Sequence, residues 1–118
     1  MSLGINSLGS NDWSDPLLAS LRPARTMDVV VKTGEGALTR GTLLMPEIVE
    51  TAPTGKYLKY DGTADLAGVL NEDIDATSAD VKTYIMFDVD LKLSGVSSDV
   101  VDLAAGFFPS CSINIIGE

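Results

Sequence analysis

The residues best equipped for chemistry in this chain are carboxylates. Asp61, Asp65, Glu72, Asp73, Asp75 and Asp80 fall within twenty consecutive positions. Such a cluster suits two tasks. One is to hold a hard cation such as calcium, which takes roughly six to eight oxygen ligands. Asp73-x-Asp75 followed by Thr77 imitates the start of a calcium loop, but the mid-loop Gly and the closing Glu of such a loop are missing, and no flanking helices are patterned. The other task is glycosidic cleavage by paired carboxylates, and nothing in the spacing sets two of them across a cleft. Solvated loop charge is the simpler account, and neither a metal nor a cofactor is expected.

The remaining chemical candidates are few. The 118 residues contain no histidine, which removes the commonest general base and metal ligand. Cys111 is the one cysteine, so no intrachain disulfide can form. It sits between Ser110 and Ser112 ahead of an apolar run and reads as a small buried filler without an activating neighbour. Gly34-Glu35-Gly36 looks superficially like a phosphate loop, but no Lys-Ser/Thr follows and both flanks pattern as strands. No nucleophile–base pair is visible, so catalysis is not expected.

Charge narrows the partners. Eight basic against seventeen acidic residues give a formal charge of -9, which repels phosphate and argues against direct nucleic-acid binding. No stretch is long and apolar enough to span a membrane. The start of the chain lacks the basic-then-apolar pattern of a signal peptide, so use without secretion is expected.

The elements that would position these residues are mostly strands. Residues 27–32 (MDVVVK) are dense in β-branched side chains, Thr33 to Gly36 is a turn, and residues 37–45 lead back, which together predict a hairpin. Pro46 is expected to end that run, and residues 51–55 (TAPTG) to form a turn. Lys56 to Tyr60 alternates, Asp61-Gly62 is a strong turn signal, and residues 67–70 resume an apolar run. From Val81, alternation sends Val81, Thr83, Ile85, Phe87 and Val89 one way and Lys82, Tyr84, Met86, Asp88 and Asp90 the other. Carried on to Leu93 this strand would be roughly 40 Å long, so a break is predicted near Asp88–Asp90. Ser97 or Ser98 can cap a helix that places Val100, Leu103, Ala104 and Phe107 on one face and stops at Pro109. Ser112 to Ile116 is a final strand with Ile113 and Ile115 inward. The predicted fold is mainly β, with six to eight short strands and one or two short helices.

The front of the chain is different. Residues 1–26 are rich in Gly, Asn and Ser yet carry Leu3, Ile5, Leu8, Trp13, Leu17, Leu18 and Leu21, more apolar weight than a purely solvated tail. They predict either a strap packed on its own domain or an arm that orders against something else, with a helix start at Ser14-Asp15-Pro16 and a stop at Pro23, ahead of one β-rich domain over residues 27–118.

The stretch from Lys56 to Val89 also carries a family resemblance. Asp61-Gly62-Thr63, then Gly68-Val69-Leu70, then an acidic loop containing Asp73 and Asp75, then the strand from Val81 resemble, in order and spacing, the head decoration proteins of tailed bacteriophages, the lambda-like family. The match covers about a third of the chain. It implies a β-clip-like body, and a homotrimer that seats on the outer surface of the expanded capsid and clamps the major capsid protein. It implies a virion component made in the bacterial cytoplasm, with an arm that is mobile in the free trimer and orders on the shell. Trp13, Leu17 and Leu18 are the expected shell contacts, since the arm has little means to bury them alone. The competing readings are another trimeric virion part, such as a tail or spike domain, and a small β ligand-binding or enzymatic module.

Overall fold

The computed structural model describes residues 15–20, 24–100 and 102–117. Ten strands run through them: β1 Arg25–Val31, β2 Gly36–Leu38, β3 Leu43–Val49, β4 Ala52–Lys59, β5 Gly68–Leu70, β6 Ile74–Ala76, β7 Val81–Phe87, β8 Asp90–Lys92, β9 Gly106–Phe108 and β10 Ile113–Ile116. The protein is mainly β, as its alternation predicts. Five of the strands are only three residues long, too short to announce themselves by periodicity.

β1, β4, β3, β5 and β7 close into a barrel, β8, β10 and β9 form a second sheet, and β2 pairs with β6. Strand periodicity explains how one barrel serves two cores. Adjacent residues on a strand point to opposite faces, and three adjacent pairs divide in this way: Leu43 and Leu44, Val69 and Leu70, Met86 and Ile85. Leu44, Leu70 and Ile85 join Val29 and Val31 in one cluster, closed off by Leu38 of β2 and Ala76 of β6. Leu43, Val69 and Met86 face the other way, beneath Val89, Leu91, Ile113 and Ile115. Each fully buried Leu or Ile contributes about 1.5–3 kcal/mol over leaving it exposed. Met86 lies on the face that alternation assigns to polar residues, and it is 3% exposed because the second sheet covers that face.

Several expectations hold. β7 ends at Phe87, the chain turns at Asp88 with φ 55°, and β8 resumes at Asp90. Gly62 takes φ 89° at the Asp-Gly turn. Ile113 and Ile115 are 0% and 1% exposed.

Other expectations are corrected. β1 does not form a hairpin with β2; it runs antiparallel to β7 from Arg25↔Phe87 to Val31↔Val81, while β2 pairs with β6. A long-range ladder of seven rungs outweighs a short local one. β3 passes through Pro46, because the register slips between Pro46 and Ile48 and a bulge tolerates a missing N–H. The turn after it is Glu50-Thr51, with φ of 52° and 68°, and residues 52–55 already belong to β4. No helix forms over the described residues between Ser98 and Pro109. Gly106 to Phe108 instead pairs with β10, and Phe108 sets its ring edge-on to Tyr60 at 6.3 Å. A helix of so few residues is marginal in water, whereas a third strand completes a sheet. The one helical element among the described residues is a single 3-10 turn, Leu93–Gly95.

The described part of the predicted helix at Ser14-Asp15-Pro16 is not helical either. Residues 15–20 form a strap along β8: Ala19 N–H donates to Asp90 O at 2.9 Å, and Lys92 N–H to Leu17 O at 2.8 Å. Gly95 makes this crossing feasible, since a Cβ there would lie 2.2 Å from Pro16 O.

Candidate binding surface

Asp15 anchors the strap. Its Oδ1 accepts the backbone N–H groups of Leu17 (2.8 Å) and Leu18 (3.0 Å). Both carboxylate oxygens also accept from the Arg40 guanidinium, at 3.1 and 3.2 Å. Arg40 Nε donates to Asn71 Oδ1 at 2.9 Å, and Asn71 Nδ2 reaches the Tyr84 hydroxyl at 3.4 Å. Partial burial by itself would raise the Asp15 pKa. The Arg40 hydrogen bonds and the two backbone donors outweigh it and lower the value to about 2.

The expected shell contacts fare differently. Trp13 lies outside the described residues. Leu17 is 2% exposed and belongs to the cluster beneath the second sheet, so it is a core residue and not a free contact. Leu18 is half-buried, forms a bridge with Leu91 and packs against the same cluster. A strap packed on its own domain is one of the two readings of the sequence, but its partner cannot be named from there, because β8 lies some seventy residues further along the chain.

Of the residues that carry the family resemblance, Asp61, Asp73 and Asp75 brace turns, while Gly68, Val69 and Leu70 form β5. Asp61 Oδ1 accepts from Thr63, from its hydroxyl at 2.6 Å and its N–H at 3.0 Å, and these bonds hold the Asp61 carboxyl below its ordinary pKa. Asp75 repeats the device with the Thr77 hydroxyl and N–H, again lowering its pKa. Asp73 accepts from Arg40 N–H at 2.8 Å. Asp80 pairs with Lys56 at 2.9 Å, accepts from Thr33 N–H at 2.8 Å, and is likewise held low. Glu72 accepts from the Thr83 hydroxyl at 2.7 Å. Gly68 is where β5 crosses β7, and a Cβ there would stand 2.6 Å from Met86 O. Val69 and Leu70 are fully buried on opposite faces.

This arrangement turns acidic residues back onto their own backbone. It brings no three of Asp, Glu, Cys or His together as a metal site among the described residues. Cys111 is 8% exposed, and burial pushes its thiol up from the ordinary value. The surface features left over are apolar: Met27, Ile48, Val49 and Phe107 are 38%, 46%, 51% and 62% exposed. Of these, sequence reading names Phe107, on the apolar face of a helix that does not form, and Ile48 and Val49 carry a signal as apolar residues beside Pro46 in a segment with an edge pattern.

No protein-family model matches the chain, and no curated protein matches it either. No helix among the described residues is long and apolar enough to cross a membrane.

Proposed function

We propose that this chain is a head decoration protein of a tailed bacteriophage or prophage. It binds as a homotrimer to the outer surface of the expanded capsid and reinforces it without catalysis. One observation carries the reading beyond the resemblance between Lys56 and Val89. Asp61, Asp73, Asp75 and Asp80, the residues best placed for chemistry, each accept a backbone N–H and stiffen a turn. Groups spent in this way suit a rigid body that adheres. The major capsid protein is the partner, and the virion exterior is the location.

The mechanism is mass action. A protein that binds only the expanded lattice stabilises that lattice by RT ln(1 + [L]/Kd), about 2.7 kcal/mol per site at a hundredfold excess over Kd. Three chains of charge -9 repel one another, so the trimer seam is apolar and backbone-mediated. Trp13 stands two positions before the strap's anchor at Asp15 in the sequence.

The test is co-sedimentation with expanded and unexpanded heads of the phage whose genome encodes the chain. Binding to expanded heads alone is expected. Equal binding to both forms, or to neither, would sink the reading.

A further inference from the structure

A cleft of about 710 Å³ opens on the barrel where β4 leaves β1. The two strands share a single rung, Val31↔Tyr57. Beyond it Gly55 lines the gap with bare backbone. The ladder of β1 with β7 builds the other side. Asp28↔Tyr84 and Val30↔Lys82 are direct partners, so these four side chains share one face, each pair about 5 Å apart at Cβ. Glu72 stands two positions past the Leu70↔Ile85 rung and is tied there by the Thr83 hydroxyl. Asn71 Nδ2 steadies the Tyr84 hydroxyl in the same way.

The lining grades from apolar to charged. Val29 and Thr83 are buried, Val30, Tyr57 and Tyr84 are half-buried, and Asp28, Glu72 and Lys82 are exposed. A largely apolar cavity with a few convergent polar groups is the usual form of a small-ligand site. Its charges are also spare. Lys32, Lys56 and Lys59 each pair with a carboxylate, of Glu47, Asp80 and Asp99. Asp28 and Lys82 lie diagonally on one face of the ladder, yet neither makes an ion pair among the described residues. Glu72 engages only one of its two oxygens. Unpaired surface charge is ordinary; its convergence with two tyrosines on one cavity is what sets these residues apart.

The lining selects the ligand by its chemistry. Two carboxylates against one lysine, on a chain of charge -9, repel an anion such as phosphate. A wholly apolar ligand would cover Asp28, Glu72 and Lys82 without giving them partners. A simple cation is opposed by Lys82. A sugar answers every group at once: its hydroxyls donate to carboxylates and accept from an ammonium, and the C–H face of its ring lies on tyrosine. We propose that the cleft binds a neutral saccharide, with Tyr57 and Tyr84 against the ring and Asp28, Glu72 and Lys82 on its hydroxyls. The site lies within one chain, so it requires neither the trimer nor the shell.

The test titrates the full chain with glucose, galactose, mannose, N-acetylglucosamine, maltose and lactose, and follows backbone amides by NMR. At least one sugar should give saturable shifts in the millimolar range, confined to residues 28–30, 55–57, 72 and 82–84. Tyr84→Ala should weaken that titration by about tenfold or more. Asp28→Asn and Lys82→Ala alter exposed side chains and should each weaken it by roughly threefold to tenfold; they carry the test even if Tyr84→Ala fails to fold. Sodium phosphate and glycine, as anion and zwitterion, should leave these amides unmoved. No saturable shift with any of the six sugars, shifts confined to another surface, or unchanged binding by both Asp28→Asn and Lys82→Ala overturns the site. So does tighter binding of phosphate or glycine than of any sugar. Sugar binding together with failure to bind heads would sink the decoration reading alone, and head binding without sugar binding would sink the cleft site alone.

Discussion

Arg40 grips Asp15 through two nitrogens on two oxygens, at 3.1 and 3.2 Å, across twenty-five positions of sequence. That pair decides where the front of the chain joins the barrel. Arg40 stands between β2 and β3, with its third guanidinium nitrogen on Asn71, so the strap is fixed to the barrel and not merely to β8.

Arg40→Ala should therefore destabilise the fold by about 1–3 kcal/mol, the range for a charge-assisted pair that is partly buried. Urea unfolding measures it. A loss below a few tenths of a kcal/mol would show that the strap is held by Leu17 and the backbone alone.

The same pair predicts a pH dependence. The Asp15 pKa is lowered to about 2 in the folded chain, from an ordinary value of 3.8. A depressed carboxyl contributes stability that is present above the unfolded pKa and lost as pH falls through the folded one. The contribution should fade between about pH 4 and pH 2, and solvent screening limits it to roughly 1–2 kcal/mol. Thermal melts of the protein and of Asp15→Asn should converge across that window. Parallel curves would separate Asp15 from the effect.

Leu17 and Leu18 should behave unlike each other. Leu17→Ala empties a site that is 2% exposed and should cost about 2–5 kcal/mol. Leu18→Ala, at a half-buried site, should cost less. Equal, near-zero losses in a denaturation series would return both residues to the surface role that the sequence suggests.

Gly95→Ala should loosen the strap, because the new methyl carbon would stand 2.2 Å from Pro16 O and 2.9 Å from Leu17 Cα. A faster-exchanging Lys92 amide, which donates to Leu17 O, is the expected signature. A wild-type exchange rate would mean that the crossing relaxes freely.

Cys111 should react slowly with a thiol reagent in the native state, since burial both covers it and disfavours its thiolate. Reaction at the rate of the unfolded chain would contradict its place beneath the second sheet.

Local chemistry made much of this legible from the residues in order. The alternation of β7, the break at Asp88, the turn at Asp61-Gly62 and the inward Ile113 and Ile115 follow from steric preferences that act over a few residues. Partnership was not legible. That β1 pairs with β7 and not β2, that Leu17 goes into the core, and that residues 106–108 choose strand over helix depend on which surfaces meet after the chain has folded back on itself. Contacts between residues seventy positions apart leave no local trace, because burial is a property of the assembled faces and not of any single segment.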